Sequence, residues 1–305
     1  MDAPFSRFSN YFMAVASTGS LRQAADQLYI SVSAVHRQIA LAEEELGVPL
    51  FERLPHGMRL TLAGELLYAD LIKWKKDFQI TQTRFDEIQG LTRGTVDIAC
   101  IAALADSFLI DAIAKMSKKY PWINFNLTVD ESDAVAHKII QNEVDFGIIF
   151  EPKQHRNLEV ISFLEIPIGF VVSPQHAFAQ FSEISISNTL DQRHITAHRP
   201  LVIQERIEAI YQHHQIHPNQ HIMCNDIEMI RSLLKQNLGL AILSQLDVMN
   251  STLKKELCFI PIKDKNIHPL TLALCTAPRR QISKSAQAML SELTSTMQHL
   301  ESIFS

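Results

Sequence analysis

Ser31-Val32-Ser33-Ala34-Val35-His36-Arg37-Gln38-Ile39-Ala40-Leu41-Ala42-Glu43-Glu44-Glu45-Leu46-Gly47 decides how this chain is read. Ser31 can cap a helix, and Val35, Ile39, Ala42 and Leu46 recur at spacings of four, three and four. Gly47 supplies the stop, so the stretch predicts an amphipathic helix with one inward stripe. The same periodicity turns Val32, Ser33, His36 and Arg37 to the opposite side, near the helix N-terminus. A helix presented in that way can enter a major groove and meet base edges, which makes these four the candidate base readers.

Working outward, Ser20 heads a second helix over Leu21 to Leu28, and Gln23 is placed to complete a capping box with it. Phe8, Tyr11, Phe12 and Val15 mark an amphipathic first helix that should end before Gly19, and Tyr29-Ile30 is a short turn. Taken singly, these signals fit an ordinary solvated three-helix bundle. Their order narrows the reading. Phe12-Met13-Ala14-Val15-Ala16, Gly19-Ser20, Ala24-Ala25, Leu28, Ser31, Ala34-Val35, Arg37-Gln38-Ile39, Leu46-Gly47-Val48-Pro49-Leu50-Phe51-Glu52-Arg53, Gly57, Arg59-Leu60-Thr61 and Ala63-Gly64 together resemble the LysR family of bacterial transcription regulators. His36 stands where the family usually has serine, Ala42 where it usually has leucine, and His56 where arginine is frequent. Those departures bear on the sequence read, not on the fold.

The resemblance implies an N-terminal all-α winged helix-turn-helix with a long linker helix, followed by a C-terminal α/β effector domain of two subdomains, like periplasmic binding proteins. The expected domains are 1–62 for DNA binding, 63–91 for the linker and 92–305 for the effector. The effector domain divides into 92–163 with 268–305, and 164–267. Residues 1 to 65 hold five arginines, no lysine and seven acidic residues, a balance of −2. Non-specific phosphate affinity is therefore modest, and binding depends on where Arg22, Arg37, Arg53 and Arg59 sit, with Glu43, Glu44 and Glu45 turned away. Arg59 is assigned to the wing, against phosphate or minor groove.

Leu67, Leu71, Trp74, Phe78, Thr81, Phe85 and Ile88 follow at alternating spacings of four and three, a seam that asks for a partner helix. The flank Lys73, Lys75, Lys76, Asp77, Arg84, Asp86 and Glu87 suits exposure beside a twofold mate. A homodimer through this helix reads an inverted-repeat operator on double-stranded DNA. The family resemblance adds a homotetramer through the effector domains and contact with RNA polymerase. Gly90 and Gly94 punctuate the hinge.

Beyond it, Thr95–Ile101, Trp122–Val129 and Val144–Phe150 are strand-like, and 106–119 and 133–142 are helical, an alternation that suggests a parallel sheet. Tyr120-Pro121, Val144-Asp145, Ser173-Pro174-Gln175-His176-Ala177-Phe178-Ala179 and Asn237-Leu238-Gly239-Leu240-Ala241-Ile242-Leu243 carry the resemblance onward. A small-molecule effector is expected between the subdomains, beyond the strand ends where helices present free amides. The candidates are Ala102, Ala103, Ser107, Ser132, Gln204 and Asn225, each of which is equally a plain cap or turn residue. Relatives often hold a carboxylate with serine or threonine near Ala102 or Ala103. The alanines here favour an uncharged or aromatic effector over a dicarboxylate, while Asp106 and Glu151 suit a cation.

Other classes fare worse. Cys100, Cys224, Cys258 and Cys275 lie far apart, as in a reducing compartment. The nine glycines form no phosphate cradle and no nucleophile elbow. Asp2 and Arg7 interrupt the start and Glu165 splits the longest apolar run, so neither a secretion signal nor a membrane span is expected and the location is cytoplasmic. His213, His214, His217 and His221 include an i, i+4 pair, yet Pro218 breaks the helix there and no metal is expected. The acidic pairs Asp130-Glu131 and Asp226/Glu228 read as helix starts, so no catalytic residue and no cofactor is assigned. A solute-binding protein would share the effector domain but lack the first 90 residues.

Overall fold

The computed structural model describes residues 7–304 except 55–56, 89–93, 106, 153–154, 156, 214, 216–217, 265–266 and 279–281. His56, Gly90, Asp106, His214 and His217 thus lie outside the described residues, as do the side chains of Arg84, Asp86, Glu87 and Ile88. The chain divides into two compact units, essentially Met1–Phe85 and Asp86–Ser305.

In the first unit, α1 (Arg7–Thr18), α2 (Leu21–Leu28) and α3 (Val32–Leu46) precede a two-stranded wing, β1 (Phe51–Leu54) and β2 (Gly57–Leu60), and the long α4 (Leu62–Ile88). Antiparallel pairing sets Glu52 opposite Arg59 and Arg53 opposite Met58. Phe12, Val15, Ala24, Ala25, Val35, Ile39, Leu50 and Phe51 form one core, with the Phe12 and Phe51 rings 5.1 Å apart. Caps fix the helix ends. Ser20 Oγ accepts from the Gln23 amide and Ser31 Oγ from the Ala34 amide, at 3.4 and 3.3 Å. The Ser20 amide donates to Thr18 Oγ1, so Thr18 stands where Gln23 was expected to close the capping box. Leu46, expected in the inward stripe, lies exposed just before the left-handed Gly47.

Two features tie α3, the wing and α4 together. Glu43 Oε1 accepts from the Leu50 and Phe51 amides at 2.7 and 3.1 Å, so Glu43 is not turned away like Glu44 and Glu45. Gly64, in the first turn of α4, sits so close under the Leu50 carbonyl that a Cβ there would lie 2.1 Å from the oxygen. Only glycine admits that approach.

The second unit starts with a sheet of strand order β4-β3-β5-β12-β6: β3 (Gly94–Cys100), β4 (Ile123–Val129), β5 (Phe146–Phe150), β6 (Glu159–Ile166) and β12 (Leu270–Thr276). Helices α5 (Phe108–Lys119), α6 (Ser132–Ile140) and α10 (Lys284–Phe304) pack with it. β3, β4 and β5 are parallel, as the alternation suggests, but β12 runs antiparallel to both β5 and β6. The sheet is therefore mixed. β6 carries the chain out to a second lobe and β12 brings it back at the same end, Leu270 facing Ile166, so the two must run in opposite directions. The passage falls at Pro167, directly after β6, rather than at 163–164.

The second lobe holds β7 (Ile168–Val172) between β10 (Ala241–Ser244) and β11 (Cys258–Pro261), all antiparallel, and a parallel pair, β8 (Arg193–Ala197) and β9 (Asn219–Cys224). Its helices are α7 (Ile203–His213), α8 (Ile227–Lys235) and α9 (Gln245–Leu253). Buried His194 has Nε2 2.8 Å from the Thr189 carbonyl and Nδ1 2.9 Å from the Tyr211 hydroxyl. The carbonyl can only accept, so Nε2 carries the proton and Nδ1 accepts from Tyr211 in a neutral ring. Burial holds this imidazole below the ordinary histidine range, against the Thr189 bond that raises it. The unfolded chain then binds the extra proton first, so this contribution to stability is present above about pH 6.5 and is lost as pH falls below it. The urea midpoint of the second unit should drop between pH 7.5 and 5.5, and drop less in His194→Gln. An equal drop in both would remove His194 as the cause.

Candidate nucleic-acid interface and ligand cleft

Val32, Ser33, His36 and Arg37 all lie exposed on α3, one turn apart in pairs, because Val35 and Ile39 anchor the opposite face in the core. Arg22 is exposed in the first turn of α2. On the wing, Arg53 Nη2 lies 2.5 Å from His36 Nε2. A guanidinium only donates, so the histidine nitrogen accepts and the wing root is joined to the reading helix. Arg59 instead donates to Glu52 Oε2 at 2.7 Å, both side chains being exposed, so it reaches a phosphate only by exchanging that partner. Sequence reasoning gave Tyr29 only a place in a turn. It caps α2 in the left-handed region at φ 55°, and its side chain, 96% exposed, stands beside the start of α3. A non-glycine residue held there is strained in a way that functional positions tolerate.

The expected dimer seam divides. Leu71 is only 3% exposed and belongs to the core of its own unit, and Leu67 packs against that core. Leu71 is thereby taken up by its own domain, because α4 must close the winged unit before it extends beyond it, whereas Leu67 stays half-buried. Trp74 and Phe85 are 52% and 57% exposed, and Phe78 is half-buried. Ile88 lies in α4, its side chain outside the described residues.

A cleft of about 40 Å³ opens between the two lobes of the second unit. The first lobe gives it Ile101, Ala102, Ala103, Glu131, Ser132 and Phe150, and the second gives Leu201, Val202, Ile203, Ile227 and Asp247. Of the sequence candidates, Ala102, Ala103 and Ser132 are brought together there. Ser132 Oγ already accepts from the Phe150 amide at 3.1 Å. The other three do not line the cleft. Ser107 is buried and donates to the Leu104 carbonyl, Gln204 donates to Glu208, and Asn225 sits on an exposed bend before α8. Leu201 to Ile203, Ile227 and Asp247 were missed because nothing in their spacing signals that lobe two turns them toward β3.

Asp247 forms a capping box with Ser244 at the start of α9, Ser244 Oγ donating to Oδ2 at 2.6 Å. Burial raises its carboxyl above the usual range, against the Ser244 bonds and Arg231, which lower it. Glu131 is raised as well, by burial first and by neighbouring Asp130 second. Glu151, read from sequence as a partner for a cation, is already taken: Arg206 Nη2 donates to Oε1 at 3.0 Å, and the Thr271 amide adds a bond at 3.3 Å. Because Glu151 follows β5 and Arg206 lies in α7, this pair spans the lobes.

Asp226 caps α8, accepting from the Met229 amide at 2.7 Å. Among the described residues no helix is long and apolar enough to cross a membrane.

Two family models match the chain. Residues 7–65 match "Bacterial regulatory helix-turn-helix protein, lysR family", and residues 89–298 match "LysR substrate binding domain". A "Probable RuBisCO transcriptional regulator" of Chlorokybus atmophyticus is 28% identical over 293 residues, covering 93% of each chain. A full-length OxyR variant of Pseudomonas aeruginosa has the same fold at a TM-score of 0.69 and 16% identity, over 95% of this chain and 93% of that one. The regulatory domain of Synechocystis CcmR, solved with 2-PG, gives a TM-score of 0.60 at 22% identity, over 68% of this chain and 99% of that one.

Proposed function

This chain belongs to the LysR family of bacterial transcription regulators, and on that premise we propose how its own residues do the work. Val32, Ser33, His36 and Arg37 read base edges, Arg53 acts with His36, and Arg22 and Arg59 hold the phosphate backbone. The observation that carries this is the outward set near the N-terminus of α3, held by a core that takes Val35 and Ile39 on the opposite side. The protein acts in the cytoplasm by binding, not catalysis. Two copies pair through the outer part of α4, over Trp74, Phe78, Phe85 and Ile88, and present two heads to an inverted repeat, with tetramers forming through the effector domains.

Domains fall at 1–62, 63–91 and 92–305, with the lobe passage at Pro167. A small molecule bound in the cleft favours one closure of the lobes, re-angles the paired heads and so changes DNA bending and contact with RNA polymerase. The likeness to the CcmR regulatory domain, solved in complex with 2-PG, supports a small-molecule ligand for the second unit.

The pairing is tested by Trp74→Glu with Phe85→Glu. The double variant should sediment as a smaller species and lose about 100-fold in affinity for an inverted repeat, since the second head no longer binds intramolecularly. A variant of unchanged size and affinity would refute pairing through this helix.

A further inference from the structure

One contact joins the wing to the reading helix, and the pleat of the wing sets it up. Antiparallel pairing puts Glu52 opposite Arg59 and Arg53 opposite Met58, and side chains alternate between the two faces along each strand. Glu52 and Arg59 therefore share one face of the ribbon, while Arg53 shares the other with Met58, which packs against the core. Arg53 is thus turned toward the helical body, where its Nη2 lies 2.5 Å from His36 Nε2 on α3. Arg59 faces away and pairs with Glu52.

That contact fixes which groups remain for DNA. The guanidinium only donates, so Nε2 is used as an acceptor and the neutral His36 ring keeps a single N–H, at Nδ1. Among the described residues neither side chain has another hydrogen-bond partner, and both are exposed. What the pair offers is donors alone: Nδ1–H of His36 and the remaining N–H groups of Arg53. The rest of the outward set, Val32, Ser33 and Arg37, adds no carboxylate and no amide.

Base edges in the major groove differ in what such a set can bind. Guanine shows two acceptors, O6 and N7, and no donor. Thymine shows one acceptor beside its methyl group, and adenine and cytosine each carry an amino donor that would meet the guanidinium donor to donor. Amide side chains pair with adenine and carboxylates with cytosine, and the outward set has neither. We propose that His36 and Arg53 act as one unit that reads a guanine in each half-site, which makes Arg53 a specificity residue and not a phosphate holder. This rests on the reading of DNA by the outward face of α3.

The test is selection from random duplex pools with the full chain, as parent, His36→Ala, Arg53→Ala and the double variant. Titration then compares the selected site with a copy that has adenine in place of the guanine assigned to the pair. The parent should prefer guanine at one half-site position by at least about 5-fold, and both single variants should lose the preference at that same position. The double variant should bind hardly more weakly than either single one, because partners in one contact do not act additively. Arg53→Lys keeps the charge but not the planar fork, so it should lose the preference too, and it is the second variant if Arg53→Ala fails to fold. Should Arg53→Ala weaken both sites alike, with a salt slope shallower by about one unit, Arg53 holds a phosphate and the inference is overturned. Preferences lost at different positions in the two single variants, or a parent that selects a sequence without guanine at the shared position, would overturn it as well. A parent that enriches no sequence at any salt concentration would overturn the reading by α3 and this inference together.

Discussion

Replacing Phe12 by alanine should cost the first unit about 3–5 kcal/mol. Phe12 is fully buried, with the Phe51 ring at 5.1 Å and Phe8 at 5.7 Å, so its removal opens a void where α1 meets the wing. A domain of this size rarely has more than about 5 kcal/mol from its core. Most molecules would then lack a folded reading head at 37 °C, and DNA binding should all but vanish. The core of the second unit shares no described residue with that of the first. Calorimetric scanning should therefore show the low-temperature change confined to one transition while cleft ligands still bind. A variant that melts like the parent would mean that Phe12 is not the keystone its burial indicates.

Arg37→Ala should leave stability nearly unchanged, because the side chain is exposed, yet cost about 1–3 kcal/mol of operator binding, roughly 5- to 150-fold. The loss should fall on specific sequence and leave non-specific affinity little altered. Arg59→Ala should behave otherwise. Glu52 already pairs with it, so the loss should be smaller, uniform across sequences, and seen as a shallower salt dependence by about one unit of slope. Titrations of both variants against one duplex at several salt concentrations separate the two roles. Equal salt slopes for Arg37→Ala and Arg59→Ala would contradict the division between base reading and phosphate holding.

The first unit was largely legible because its signals are local. Ser31, Gly47 and the Val35/Ile39 stripe specify α3 within one segment, and the structure follows them up to Leu46. Where a residue's partner lies elsewhere in the chain, the reading failed. Glu43 looks like one of three solvated acids until the wing folds back and offers it the Leu50 and Phe51 amides. The α4 seam reads as one continuous stripe, although Leu71 closes the domain while Trp74 and Phe85 stay open. In the second unit the β3-α5-β4 alternation was readable, whereas the place of β12 depends on the chain returning from the other lobe. The cleft shows the same limit. Ala102, Ala103 and Ser132 follow strand ends and were found by that rule, whereas Leu201, Ile227 and Asp247 reach the cleft only through the packing of lobe two.

The central claim is that this chain reads DNA sequence through the outward face of α3. Selection from random duplex pools at a stated salt concentration, with the parent and Arg37→Ala side by side, tests it most directly. The account predicts that the parent enriches an inverted repeat whose half-sites are spaced by about one helical turn or a multiple of it, and that Arg37→Ala does not. Enrichment of no sequence at any salt concentration would contradict it.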